Sequence, residues 1–355
     1  MGAVCDRSIV EGLPRRPVGA TGLELTELGL GAACLGNLYQ PMTDADALGT
    51  VRSALSAGIN YIDSAPHYGF GLSEERIGAS LISGDGVVVS TKVGRLLRPA
   101  PEVTDDAERF GFRSSAPFTP IFDYTYDGVM RSWTSSLGRL KRQNIDILYV
   151  HDIGRLTHGD AHAERFQQLT RGGGLRALQE LRHEGHIRAF GIGVNEVEAC
   201  LDVLDEADLD AILLAGRYTL LEQAPLDRMF PECKRRGTSV IIGGPYNSGI
   251  LATGVSGYVS ARFNYEAAPR DVAARVLRFE RVCEEFGVRL PAAALQFALA
   301  HPQVVSVIPG LDSSSQVERT MALYSARIPA EFWGKLKSLG LIRDDAPVPA
   351  EARRE

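Results

Sequence analysis

Short apolar runs alternating with segments of helical period most narrow what this 355-residue chain can fold into. Candidate strands lie at Glu27–Leu30, Tyr61–Asp63, Val87–Lys92, Ile145–His151, Ala189–Val194, Ala211–Leu214, Val240–Gly243 and Val304–Ile308. Runs such as VVVS and DILYV are nearly continuous in apolar residues, as parallel strands covered on both faces must be. Between them, Leu48, Val51 and Leu55 form one stripe. Val129, Trp133, Leu137 and Leu140 form a second, Leu175, Leu178 and Leu181 a third, and Val272, Val276, Phe279 and Val282 another. Each spacing gathers apolar side chains on one helical face. Thr43 with Asp46 reads as an acidic capping box, and the basic stretch Arg139–Arg142 suits a helix C-terminus. Strand-then-helix units repeated about eight times predict an α/β fold of the closed (β/α)₈ kind, a TIM barrel. A doubly wound open sheet is the alternative.

The length suits a single barrel domain over residues 1–355, with residues 1–15 expected as a poorly ordered tail. The stretches Arg95 to Asp123 and Ile153 to Gly174 are too polar or Gly-rich to be barrel elements. They read as long loops after the third and fourth strands, at the C-terminal mouth where barrel active sites are built.

Composition excludes several classes. A net charge of −6 with no basic block argues against nucleic acid as partner. No apolar run is long enough to span a bilayer, the N-terminus lacks a secretory apolar core, and Gly2 is not followed by a myristoylation pattern. Cys5, Cys34, Cys200, Cys233 and Cys283 are odd in number, scattered and without C-x-x-C. They read as reduced thiols in a cytoplasmic protein. His158 and His162 flank Asp160 but lack a third ligand, so no metal is expected. His183 and His186 sit at a helix end, where cations complement the dipole. The segment GLGAAC (Gly29, Gly31) puts Cys34 where a dinucleotide fingerprint needs its third glycine, which rejects a Rossmann site.

The chemistry concentrates in Asp63, Tyr68, Lys92 and His151. Asp63, Lys92 and His151 close the second, third and fourth strands, and Tyr68 stands five residues past Asp63. In a barrel these are neighbouring strand ends on one face. A phenol beside a buried ammonium should have its pKa lowered, the carboxylate would hold that ammonium, and a neutral His would orient a substrate oxygen.

The segments GINYIDSAPHYGFGLSEERIGASL, VVVSTKVG and IDILYVHDI, with these four residues in order, resemble the aldo-keto reductase family over nearly the whole chain. The resemblance implies hydride transfer between a nicotinamide cofactor and a small carbonyl or hemiacetal substrate on a (β/α)₈ barrel. Tyr68 would then be the general acid/base, Lys92 its partner, Asp63 the residue that orients Lys92, and His151 the substrate-orienting group. APHYGFGLSE, FDYTYDGVMRS, LAGRYTLLEQ, GGPYNSGILATG and AAALQFALAHP resemble the bacterial branch that oxidises D-threo-aldoses such as L-fucose at C1 to the lactone. A neighbouring branch acts on pyridoxal. A general aldehyde or ketone reductase, a dinucleotide-sensing barrel subunit without turnover, and another class of barrel enzyme are the alternatives.

Further expectations follow from the resemblance. Where the family carries Ser-Asn for the nicotinamide carboxamide, this chain has Asn195-Glu196, and Asn195 is the candidate. Ala215 replaces a common Gln, and Gly243 stands where an aromatic usually stacks on nicotinamide, so either Tyr246 takes over from a shifted loop or the ring packs on backbone. The Gly-rich loop Pro245–Gly254, with Pro245, Asn247, Ser248, Gly249 and Leu251, is expected around the pyrophosphate. Pro309, Gly310, Gln316, Arg319 and Thr320 follow the eighth strand toward the adenosine. NADP-dependent relatives carry a Lys and an Arg at the places of Gly310 and Gln316, so NAD is expected over NADP. Arg319, on the same face, leaves NADP open. His67, Phe70 and Asp152 are expected at the substrate, with Phe110–Tyr124 bounding the pocket. The partner is a small sugar or aldehyde, and the sequence does not decide between monomer and homo-oligomer.

Overall fold

A computed structural model describes residues 12–81, 86–114, 116–257 and 261–349. Eight strands follow one another in chain order around one parallel sheet: β1 (Leu30–Gly31), β2 (Tyr61–Asp63), β3 (Val88–Val93), β4 (Ile147–His151), β5 (Ala189–Val194), β6 (Ala211–Ala215), β7 (Ser239–Gly243) and β8 (Val304–Ile308). The sheet closes through parallel bridges between Leu28 and Val307 and between Gly31 and Gly310. Gly29 and Gly31 donate their N–H groups to the carbonyls of Val307 and Pro309, each at 3.0 Å. Closure leaves no unpaired edge, so the open doubly wound sheet is excluded.

The helices are α1 (Asp44–Ser56), α2 (Leu72–Ser80), α3 (Tyr126–Leu140), α4 (Gly174–His183), α5 (Val197–Glu206), α6 (Met229–Arg236), α7 (Arg270–Phe286), α8 (Leu290–Leu299), α9 (Ser314–Tyr324) and α10 (Ala330–Ser338). Thr43 caps α1 by accepting the Asp46 N–H at 3.1 Å. The buried face of α1 is Ala47, Val51 and Ala54, rotated from the predicted stripe so that Leu48 and Leu55 lie at its margin. One core fills the space between strands and helices; a second, with Val88, Ile147, Leu213 and Ile241, fills the barrel. Among the described residues no helix is long and apolar enough to cross a membrane.

Two loop expectations need correction, and an N-terminal hairpin adds an element the sequence did not predict. Arg15 begins a strand, Arg15–Val18, which pairs antiparallel with Leu23–Thr26. Val18, Leu23 and Leu25 of this hairpin join the barrel interior; of the expected tail, residues 1–11 lie outside the described set. The stretch Arg95 to Asp123 is two antiparallel hairpins, Arg95–Pro99 with Phe118–Phe122 and Glu108–Arg109 with Phe112–Arg113. The stretch after β4 is largely helical, through Arg155–His158 and His162–Leu169. Pairing and helix formation satisfy backbone groups that a bare loop would leave to water.

Candidate active site

Parallel pairing sets Asp63, Lys92 and His151 on adjacent strands at the C-terminal mouth. Tyr68 comes from the turn after β2, pressed against the loop after β1. A Cβ on Gly36 would lie 2.5 Å from the Tyr68 carbonyl carbon, and one on Gly69 (φ +64°) 2.4 Å from the Gly36 carbonyl oxygen. Two glycines therefore allow the approach that aims the phenol inward.

All three ammonium protons of Lys92 are engaged. Nζ donates to Asp63 Oδ2 at 2.6 Å, to the Ser64 carbonyl at 2.8 Å and to the Tyr68 phenol oxygen at 3.1 Å. Asp63 Oδ1 accepts from Ser90 Oγ at 2.7 Å, and Ser90 Oγ meets the Tyr61 hydroxyl at 2.9 Å. With both carboxylate oxygens held, the ion pair has one geometry.

Burial dominates the electrostatics. It pushes the Tyr68 phenol up to about 12, against the downward pull of Lys92. The sequence expectation had the sign of the Lys92 effect but not the larger opposing one. Burial works against the charge on Lys92, but Asp63 and then Tyr68 outweigh it and its pKa is raised. The ammonium stays charged. His67 is pushed down to about 3 and His151 well below the usual imidazole range, by burial first and then by Arg95 and Lys92. Both rings are neutral.

Tyr68 lies where two cavities meet. A groove of about 580 Å³ runs past Gly243, Pro245, Tyr246, Ser248 and Gly249 to Gly310, Gln316, Arg319 and Thr320. A pocket of about 480 Å³ is lined by His67, Lys92, His151, Asp152 and Asn195. Four expected contacts do not line either cavity. Phe70 is 1% exposed and stands behind Phe112 and under the Arg109 guanidinium. Asn247 is buried between Thr219, from which it accepts at 2.6 Å, and the Gly216 carbonyl. Leu251 is in the core, and the Pro309 carbonyl takes the Gly31 N–H in barrel closure. Glu196 also turns away, accepting the Leu156 N–H at 3.0 Å, which leaves Asn195 facing the pocket.

His158 meets the Tyr124 hydroxyl at 2.9 Å and His162 the Ile153 carbonyl at 3.1 Å. Among the described residues no group of three or more His, Cys, Asp or Glu side chains is placed to hold an ion. Cys34 lines the groove, half-buried, its thiol pushed up to about 12 by burial. Cys200, Cys233 and Cys283 are free and buried; Cys5 lies outside the described residues.

Sequence reasoning missed Arg95 and Tyr265. Tyr265 lines both cavities, its phenol beside the Asn195 side chain. It sits with Asn264 in a two-residue turn, both at positive φ, between Arg262–Phe263 and Glu266–Ala267. Its N–H donates to Ser248 Oγ at 2.9 Å. The dipeptide Asn-Tyr is a weak hairpin signal beside Asn-Gly.

Residues 27–340 match the model of the aldo/keto reductase family. The chain is 46% identical over 338 residues to a pyridoxal 4-dehydrogenase of Microbacterium luteolum, covering 92% of this chain and 98% of that one. It is 38% identical to a D-threo-aldose 1-dehydrogenase of a Pseudomonas species, covering 91% and 96%. The holo form of an aldo-keto reductase from Bacillus halodurans superposes with a TM-score of 0.70 at 24% identity, over 96% of this chain and 100% of that one, a likeness of fold. The chain is an NAD(P)-dependent oxidoreductase and belongs to the aldo/keto reductase family.

Proposed function

We propose that this protein oxidises a small cyclic hemiacetal, an aldose such as L-fucose or another D-threo-aldose, at C1 to the lactone. The observation that carries the reading is the Tyr68–Lys92–Asp63 array at the junction of groove and pocket, with His151 on the pocket side. The groove residues fit a dinucleotide. Gly243, Gly244, Gly249 and Gly310 keep side chains out of its walls, and Ser248, Gln316 and Arg319 offer polar contacts. When bound, the oxidised nicotinamide supplies the hydride acceptor and a positive charge.

The protein's own groups handle the proton. Neutral His151 orients the anomeric hydroxyl, and the Tyr68 phenolate takes its proton as the C1–H bond is lost and the carbonyl forms. Lys92, fixed by Asp63, stabilises the phenolate through its third N–H. In the reverse direction the Tyr68 phenol returns the proton to the carbonyl oxygen. We place NAD ahead of NADP because neither Gly310 nor Gln316 offers a cation for a 2′-phosphate.

Pyridoxal is the second reading. It is favoured by the 46%-identical relative and by the ring cluster of His67, Phe110 and Phe112 beside the pocket. Absorbance of reduced nicotinamide with a panel of aldoses and pyridoxal, each with NAD and with NADP, tests both. Turnover of an aldose with lactone as product is expected. Turnover of pyridoxal alone selects the second reading.

A further inference from the structure

The pocket holds a charge pair outside the tetrad. Successive strand residues point to opposite faces, yet His151 and Asp152 both line this pocket. Asp152 achieves this through a left-handed backbone, φ +47°, which is uncommon for a residue with a Cβ. Its N–H still donates to the Gly193 carbonyl at 2.9 Å, continuing the pairing of β4 with β5. Arg95, at the start of the hairpin after β3, donates Nη2 to Asp152 Oδ2 at 2.5 Å, over the face of Phe122. Among the described residues its buried Nε has no partner. Both side chains are mostly buried, at 13% and 16% exposure. Burying two charges carries a desolvation penalty that a surface tie between two loops avoids.

The same Asp152 Oδ2 lies 3.4 Å from His151 Nε2. In the reading above, His151 holds the oxygen of the reacting carbon. Asp152 therefore borders the place of that oxygen, and a group on the carbon next to the reacting one lies within its reach. We propose that Asp152 and Arg95 form a subsite for the hydroxyl on the carbon next to the one oxidised, Asp152 accepting a hydrogen bond from it and Arg95 donating one to its oxygen. The inference rests on the proposed hemiacetal oxidation and narrows its substrates to 2-hydroxy hemiacetals. A charge-assisted pair rejects a substrate lacking its hydroxyl, because the buried groups are then left without that partner.

The test measures kcat and KM at saturating NAD for L-fucose, 2-deoxy-L-fucose and pyridoxal, which has no hydroxyl on the adjoining carbon. Wild-type protein is expected to favour L-fucose over the 2-deoxy sugar by about 10- to 100-fold in kcat/KM. Asp152→Asn and Arg95→Met should collapse that ratio toward parity, lowering kcat/KM more for L-fucose than for either other substrate, and Arg95→Lys should recover part of it. If the variants lower all three substrates equally and leave the ratio intact, the pair only braces the hairpin and the subsite is overturned. A wild type that oxidises L-fucose without discriminating overturns the subsite alone. A wild type that oxidises no sugar overturns the aldose reading, and the subsite falls with it.

Discussion

Tyr68 shows how two opposed effects on one phenol fix the pH dependence of the whole reaction. Burial pushes its pKa up to about 12, and Lys92 at 3.1 Å pulls it down. Oxidation needs the phenolate, whose fraction rises about tenfold with each pH unit below the pKa. The oxidative kcat/KM should therefore climb through the alkaline range, while the reductive direction, which needs the phenol, should not. Lys92→Met removes the downward pull and should move the oxidative limb to still higher pH; a limb of unchanged position would show that Lys92 is not coupled to the proton-transfer group. Tyr68→Phe should lower kcat by roughly 10²–10⁴-fold, while NAD affinity, followed by fluorescence titration, stays close to wild type. The convergence of these residues was legible in sequence because Asp63, Lys92 and His151 end apolar runs, and strand ends in a barrel share one mouth. The balance of effects on Tyr68 was not legible, since it depends on an enclosure that Gly36 and Gly69 create from distant segments.

Seven barrel strands were read to within two residues of their ends, because burial on both faces makes each a nearly continuous apolar run; the first, read at Glu27–Leu30, is the short strand Leu30–Gly31. The connections were not read in this way. The stretch after β3 forms hairpins although it alternates poorly, because its cross-strand pairing is completed by contacts with other loops. The Tyr39 N–H donates to the Gly111 carbonyl at 2.8 Å, and Arg109 donates to the carbonyls of Phe118, Ser114 and Ala116. Tyr265 and Arg95 went unread for the same reason, their place being set by pairing across loops. The tip of the smaller hairpin carries Phe110, 69% exposed and lining the pocket. An apolar ring left in water at a pocket mouth gains burial when substrate arrives. Phe110→Ala should forfeit about 1–2 kcal/mol of that gain, raising KM by roughly 5- to 30-fold. Because Phe110 does not touch the tetrad, kcat should change little. The rise should be larger for pyridoxal, a flat ring, than for an aldose; equal effects on the two would place Phe110 outside the substrate contact.

At the scale of the molecule, the groove joins segments that the chain keeps far apart, from Ala33 and Tyr39 after β1 to Arg319 in α9. A ligand that binds across such a span binds only the folded chain, so its affinity adds to stability. At one hundred times its Kd the addition is about 2.7 kcal/mol, which in a chain of this size raises Tm by about 4 °C. This turns the choice of cofactor into a measurement that needs no substrate. The 2′-phosphate of NADP would enter near Gln316, half-buried and uncharged, and near Asp312, an exposed carboxylate two residues past Gly310. One offers no cation and the other repels an anion. The opposing group is Arg319, exposed on the groove wall with Nη2 donating to Ser315 Oγ at 3.3 Å. That bond is weak and neutral at the acceptor, so a phosphate would displace it readily. Thermal melts at equal NAD and NADP concentrations should give the larger rise with NAD. Arg319→Ala should lower the NADP rise further and leave the NAD rise nearly unchanged. A larger rise with NADP in the wild type would overturn the NAD preference, and its loss in Arg319→Ala would identify that single guanidinium as the reason.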